Sequence, residues 1–426
     1  MYRTTRWVLA ALILLYLGFP TDVHAHGGLP VAQQILWRDQ TMLVPTPYWG
    51  LFVGTDGGPW HWICEEAMNT YQQRRFALGK DGTLYATDRV GLTVSRDEGC
   101  TWTAIAQDIH RFEIPAIVAD PITSRVWAAV TDADAGAGTG LWRSDDRGNT
   151  WQLAFALKDH YPLGLVVAEN GRALALTSVT PSMPRELMLH LSTDGGASFQ
   201  SRTLSYSLNG MPILSMVPLW IDPRTPDQVY VATQNSAPNA LLRVGLTGVP
   251  LEQMRVDTGI RDMKRDVRKD RLLVATSKGL WVAQAGATLQ SVSTIAASQC
   301  LSIHGDTAYA CGWNYAPDQA AIAKLSDDAA SFTKVFQYHD TQSPVTCPSD
   351  TPVAKICPPV WSMYADQLGI DLSQRDNMNA SMGAGCQVAS RNAPAYGFST
   401  LMGGLCVLLS LRRRRPLRPR SAVQTR

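Results

Sequence analysis

The sequence predicts an all-β chain folded as a seven-bladed β-propeller, with an N-terminal signal peptide and a C-terminal transmembrane tail. Three observations carry the propeller. An octapeptide recurs at near-constant spacing, a frame of two short apolar strands precedes its copies, and the same frame returns further along without the octapeptide. A fixed period of this size in β-patterned sequence means repeated units, and for strands it means blades around an axis.

The octapeptide reads Ser-x-Asp-x-Gly-x-Ser/Thr-Trp/Phe. Its copies are Ser95, Asp97, Gly99, Thr101 and Trp102; then Ser144, Asp146, Gly148, Thr150 and Trp151; then Ser192, Asp194, Gly196, Ser198 and Phe199. They start 49 and 48 residues apart. The chemistry explains the pattern. Asp accepts hydrogen bonds from nearby backbone N–H groups, Gly takes a positive φ without steric cost, and the hydroxyl closes a second local bond. The aromatic ring folds between neighbouring sheets, where burial contributes about 1.5–3 kcal/mol.

This turn resembles the Asp-box, or bacterial neuraminidase, repeat. The resemblance implies a propeller of the kind shared by sialidases, xyloglucan-cleaving glycosidases, sortilin-type receptors and photosystem II assembly factors. It also implies that the box is structural, so that Asp97, Asp146 and Asp194 are not catalytic.

The strand frames come in order. Gly82 to Thr87 with Gly91 to Val94 precedes the first box, and Ser124 to Val130 with Gly140 to Arg143 precedes the second. Arg271 to Thr276 with Gly279 to Val282 repeats the frame, but its hairpin lacks Ser and Asp. Asp306 to Ala310 leads to a box one residue short, Ser326 to Phe332. Asp227 to Thr233 and Gly50 to Thr55 mark two more units. Seven units result, beginning near residues 35, 73, 112, 162, 213, 258 and 297, within a propeller spanning 26–340. Six or eight blades stay open because the degenerate units are soft. Two separate β-sandwiches would not explain a repeated frame.

The ends read as targeting segments. Arg3 and Arg6 precede the apolar run Trp7 to Phe19, and Val23-His24-Ala25 fits a cleavage site, which gives a signal peptide over 1–25. Residues 341–376 hold closely spaced prolines and two cysteines and read as a surface strap or stalk. Residues 377–392 are rich in small side chains, a flexible linker. Residues 393–411 carry no charge and are long enough to cross a bilayer, and 412–426 open on four arginines that would stay cytoplasmic. Gly385-Cys386 followed by an apolar span and an arginine cluster resembles the myxobacterial C-terminal sorting signal. That resemblance implies processing near Cys386, as a sorting or lipidation residue, and an exported protein anchored at the cell envelope or surface. A plain single-pass anchor is the alternative, and either makes the membrane a partner through the tail.

The two terminal segments, 1–25 and 412–426, hold nine of the 38 basic residues and one of the 36 acidic ones, so the body carries about −6. An acidic body without a basic stripe argues against nucleic acid as a partner. Six cysteines outside the tail, Cys64, Cys100, Cys300, Cys311, Cys347 and Cys357, fit disulfides in an oxidising compartment. Near-neighbour spacing favours 300–311 and 347–357, leaving 64–100. No pair has zinc or redox spacing, and no metal or other cofactor is expected.

A sialidase needs an aromatic-Arg-Ile-Pro sequence before its first box, whose arginine clamps a carboxylate. Here Phe112-Glu113-Ile114-Pro115 follows the first box and has Glu in place of Arg. A glycoside hydrolase needs two facing carboxylates; Asp88, Asp132, Asp134, Glu169 and Asp222 qualify by position alone. Asp132 to Gly136 begins like a calcium loop, but Arg143 stands where the bidentate Glu is required. Trp60-His61-Trp62 offers a sugar-stacking platform or, more simply, filler between blades. No phosphate loop, nucleophile elbow or zinc helix appears. The expectation is a non-catalytic binding or scaffolding module for a protein or glycan partner. A divergent sialidase-like or other glycoside hydrolase, using carboxylates at the channel mouth, is the alternative.

Overall fold

The computed structural model describes residues 29–372, apart from short stretches at 70–74, 89–90, 106–108, 110–111, 133–137, 209, 235–238, 248–249, 257, 285–286, 293–294 and 316. Seven antiparallel four-stranded meanders follow one another along the chain. Their innermost strands are Leu36–Arg38, Arg75–Leu78, Glu113–Ala119, Tyr161–Val167, Met216–Ile221, Ile260–Asp266 and Cys300–His304. Each begins within three residues of the unit start expected from the sequence. We number the blades 1–7 in this order.

Polarity sorts the strands radially. The second strand of a blade is covered on both faces by its neighbours, so Leu84–Thr87, Leu174–Val179 and Arg271–Thr276 are buried at every position. Such strands read as continuous apolar or small runs in place of strict alternation. In blade 4 the outermost strand faces water, and Gln200–Thr203 is exposed throughout. A short hairpin, Ser207–Leu208 with Met211–Pro212, lies between blades 4 and 5.

Blade 7 meets blade 1 through contacts that span nearly the whole sequence. Trp60 stacks on Phe336 at 4.0 Å and Trp37 on His304 at 4.0 Å. The Trp37 indole N–H donates to Ser302 Oγ at 2.9 Å, and Lys324 pairs with Asp56 at 3.0 Å. After blade 7 the chain crosses to blade 1 and adds Thr341–Pro344 as a fifth strand, parallel to Trp60–Ile63.

The segment expected as a strap continues into the helix α1, Pro352–Gln367. Thr351 caps it and Pro352 occupies its first turn, the favoured places for both residue types. Its face Val353, Cys357, Tyr364 and Ala365 is buried with Trp49 and Trp62 of blade 1. The Tyr364 hydroxyl bonds Glu66 Oε1 at 2.7 Å.

Two disulfide expectations are corrected. Cys300–Cys311 forms, as adjacent strands demand, but the others are Cys64–Cys357 and Cys100–Cys347, not 347–357 and 64–100. The reason is α1: it lays Cys357 against blade 1 while Cys347 lies on the way in, beside the turn of blade 2. Both bonds fasten this segment to the ring.

The transmembrane tail, and the membrane partnership and anchored localisation drawn from it, are likewise corrected. Among the described residues no helix is long and apolar enough to cross a membrane. The 16-residue α1 spans about 24 Å, short of the ~30 Å hydrocarbon core. It also carries Lys355 and Asp366. The expected signal peptide, residues 377–392 with Cys386, the span 393–411 and the arginine tail lie outside the described residues.

Candidate binding site in the axial channel

The three recurrent turns have the geometry their residues suggest. Ser95 Oγ donates to Asp97 at 2.9 Å and accepts from the Gly99 N–H at 2.9 Å, while Asp97 accepts from the Thr101 N–H at 2.9 Å. Ser144, Asp146, Gly148 and Thr150 repeat this at 3.0, 2.9 and 2.8 Å. Ser192, Asp194, Gly196 and Ser198 do so at 2.7, 2.9 and 3.0 Å. Burial opposes ionisation of Asp97 and Asp146, but the donated hydrogen bonds win and hold both carboxyls below the usual range. In Asp194 the Ser198 hydroxyl and N–H have the same effect.

The aromatic residues are in place between sheets. Trp102 is 5% and Trp151 7% exposed, and Phe199 packs on Phe155 at 4.7 Å. The glycines are needed twice over. Gly148 has φ +76° and a Cβ there would sit 2.9 Å from the Tyr85 ring; Gly196 has φ +84° and its Cβ would lie 2.2 Å from Trp127. Each turn is thus pressed against the blade before it. Blade 7 keeps a partial version, with Ser326 Oγ on Asp328 at 2.7 Å and on the Ser331 N–H at 2.9 Å. These residues join blades; none lines the axis.

The axis holds a cavity of about 430 Å³, bordered by the inner strands of blades 2 to 6. Its wall has two characters. Pro115, Ile117, Leu163, Leu165, Val217 and Leu219 make an apolar side from blades 3, 4 and 5. Arg75 of blade 2 and Arg261, Asp262 and Lys264 of blade 6 make a polar side, joined by the amides of Gln234 and Gln299.

Bulges set which side chains face the axis. In blades 4, 5 and 6 the innermost strand carries one extra residue against its partner, at Leu163, Leu219 and Arg261, and in blade 3 the irregularity falls at Ile114-Pro115. A bulge re-aims its side chain, and here Pro115, Leu163, Leu219 and Arg261 all border the cavity. Three of the four are apolar. Arg261 is the departure.

Asp262 is the single carboxylate among the described lining residues. Its oxygens are engaged by Lys264 Nζ at 3.2 Å, by its neighbour Met263 N at 2.7 Å and by Leu301 N of blade 7 at 2.8 Å. The carboxylates that qualified by position lie elsewhere. Asp222 is clamped by Arg224 at 2.8 and 3.0 Å, Glu169 accepts from the Trp220 indole at 3.4 Å, and Asp88 is buried. Asp132 lies off the axial wall, and Asp134 lies outside the described residues, as does most of the loop that began like a calcium site. Trp60 and Trp62 are buried in blade 1, filler and not platform. Among the described residues no three His, Cys, Asp or Glu side chains gather to hold a metal ion.

One buried group escaped the sequence reading. His190 sits between Ser178 and Ser201, each hydroxyl 2.7 Å from one ring nitrogen. Burial, aided by the charge of His160, pulls its pKa down to about 4. Two serines on flanking strands gave no sequence signal, because their meeting depends on register.

No protein-family model matches this chain, and no curated protein matches it. The expected Asp-box and sialidase-type family identity is therefore corrected: the turn geometry stands, but no family is tied to it. Solved structures do match. A xyloglucanase of the GH74 class from Xanthomonas campestris is 14% identical with a TM-score of 0.51, over 74% of this chain and 55% of that one. Hydrazine synthase from Kuenenia stuttgartiensis is 12% identical with a TM-score of 0.50, over 75% of this chain and all of that one. At such identities the likeness is one of fold, and what it establishes is that this chain is a seven-bladed β-propeller.

Proposed function

We propose that the protein is a non-catalytic binding module, in which the propeller presents its axial channel to a protein or glycan partner. The observation that carries this reading is the carboxylate inventory of the channel. Glycoside hydrolysis uses two carboxyl groups facing each other about 5–10 Å apart across the bond to be cut. Here Asp262 stands without a second carboxylate among the described lining residues, and its oxygens are taken up by Lys264 and two backbone N–H groups. A cavity of this size with an apolar wall and a few convergent polar groups suits recognition.

The test pairs a glycan array and a partner pull-down with a panel of fluorogenic glycosides, all on the purified full-length protein. Saturable binding without turnover is expected. Turnover abolished by Asp262→Asn would replace this reading with a hydrolase.

A further inference from the structure

We propose that the axial channel recognises an organic carboxylate carried on an apolar body, with Arg261 as the anion-binding residue. The inference rests on the binding-module reading and names the ligand chemistry of that same site.

The inner-strand bulges of blades 3 to 6 bring one side chain each to the channel, and three of the four positions hold Pro115, Leu163 and Leu219. The packing of a blade therefore does not require charge at this place. Blade 6 nevertheless puts an arginine there, on an extra residue that the ladder leaves unpaired. Charge without a packing role points to a ligand.

The Arg261 side chain is exposed, and no hydrogen bond or ion pair joins it to another described residue. The neighbouring acid is already committed: Asp262 is held by Lys264, Met263 N and Leu301 N. Lys264 and Asp262 offset each other, which leaves Arg261 as uncompensated positive charge on this wall. A guanidinium presents a planar fork that matches a carboxylate through two parallel hydrogen bonds. The amides of Gln234 and Gln299 border the same cavity and add donors.

The remaining wall sets the rest of the ligand. Blades 3, 4 and 5 face the cavity with proline, leucine, isoleucine and valine. A polyhydroxylated acid would leave its hydroxyls unpaired against that surface, at a cost for every buried group. A carboxylate on a ring or short hydrocarbon chain satisfies both sides, and about 430 Å³ holds a molecule of that size.

Isothermal titration calorimetry on the full-length protein tests this with three probes: 4-phenylbutyrate, 4-phenylbutyramide and glucuronate. The acid is expected to bind at least tenfold tighter than its amide and tenfold tighter than glucuronate. Arg261→Gln should weaken 4-phenylbutyrate at least tenfold and Arg261→Lys less, while Arg202→Gln on the outside of blade 4 leaves it unchanged. Circular dichroism and unfolding midpoints verify that each variant folds. Equal binding of acid and amide overturns the proposal, as does an unchanged affinity in Arg261→Gln or no binding of 4-phenylbutyrate at millimolar concentration. Equal binding of glucuronate removes the apolar wall from it. Glycan or protein partners that persist while 4-phenylbutyrate fails would sink the carboxylate site and leave the binding module standing. Glycoside turnover with 4-phenylbutyrate still bound would do the reverse.

Discussion

The Arg271 guanidinium of blade 6 donates to the Asp327 main-chain carbonyl in the turn of blade 7 at 2.6 Å. Arg125 of blade 3 repeats the relation three blades earlier, donating to the Gly195 carbonyl of blade 4 at 3.0 Å. An arginine that opens or precedes the second strand thus fastens the next blade's turn. Arg271 is almost wholly buried and also meets Asp266 at 3.1 Å.

Removing one member of such a buried pair leaves the other charged and unpaired. Arg271→Met is expected to destabilise the protein by about 3–5 kcal/mol, read as a shifted urea midpoint. Arg271→Met with Asp266→Leu should recover a large part of that loss. An undiminished midpoint in the single variant would show that the pair contributes nothing.

The recurrent turns predict a smaller effect with a defined pH signature. Ser144→Ala removes the acceptor of the buried Gly148 N–H, at a cost of about 1–3 kcal/mol. The carboxyl of Asp146 is held below its ordinary value by Thr150, Ser144 and Asn149 against the opposing effect of burial. Its folded pKa lies below the unfolded one, so its stabilisation is present above about pH 4 and fades as pH falls through the depressed value. Asp146→Asn should flatten the stability profile below pH 4 and leave its shape above pH 5 unaltered.

His190 acts in a different window. Its folded pKa of about 4 lies below the ordinary 6.5, so between these values the unfolded chain binds the extra proton. Stability should therefore decline as pH drops from 6.5 toward 4, by on the order of 3 kcal/mol at the full shift. In His190→Gln that slope should disappear, while the loss below pH 4 persists. Urea midpoints across the range report both.

The two long-range disulfides should prove strongly coupled. Their sequence separations are 293 and 247, against 11 for Cys300–Cys311. With one long bond in place the other closes an effective loop of only about 46 residues, for which the chain-entropy model gives about 4 kcal/mol. Replacing Cys64 and Cys357 by Ser, or Cys100 and Cys347, should cost about that much in either case. Replacing all four should cost more than twice as much, because the full loop is then released. Simple additivity in thermal or chemical unfolding would refute the coupling.

Much of the ring was legible because its information is local. Ser, Asp, Gly and an aromatic residue within eight positions close a turn by bonds that stay inside it, so the turns at Asp97, Asp146 and Asp194 were legible, and the Asp-box resemblance implied that these carboxylates are structural. The blade starts followed, since strand frames repeat with the turns. The candidate site was not legible. Arg261 looks like any strand arginine in Ile260-Arg261-Asp262-Met263, and alternation alone does not assign its face. A one-residue bulge against Thr276 and Ala275 decides it, and a one-residue shift moves a side chain to the other side of a sheet.

The sequence by itself determined the repeat and its period and favoured seven sheets over six or eight, because hydrophobic patterning and turn chemistry act over a few residues. Only the tertiary structure decided how the ends of the ring meet, which cysteines pair, and where charge enters the channel. The third depends on the strand register of blade 6, and the first two on residues hundreds of positions apart, such as Trp60 with Phe336 or Cys64 with Cys357. Their proximity comes from closing the ring, and closure is a property of all seven blades together.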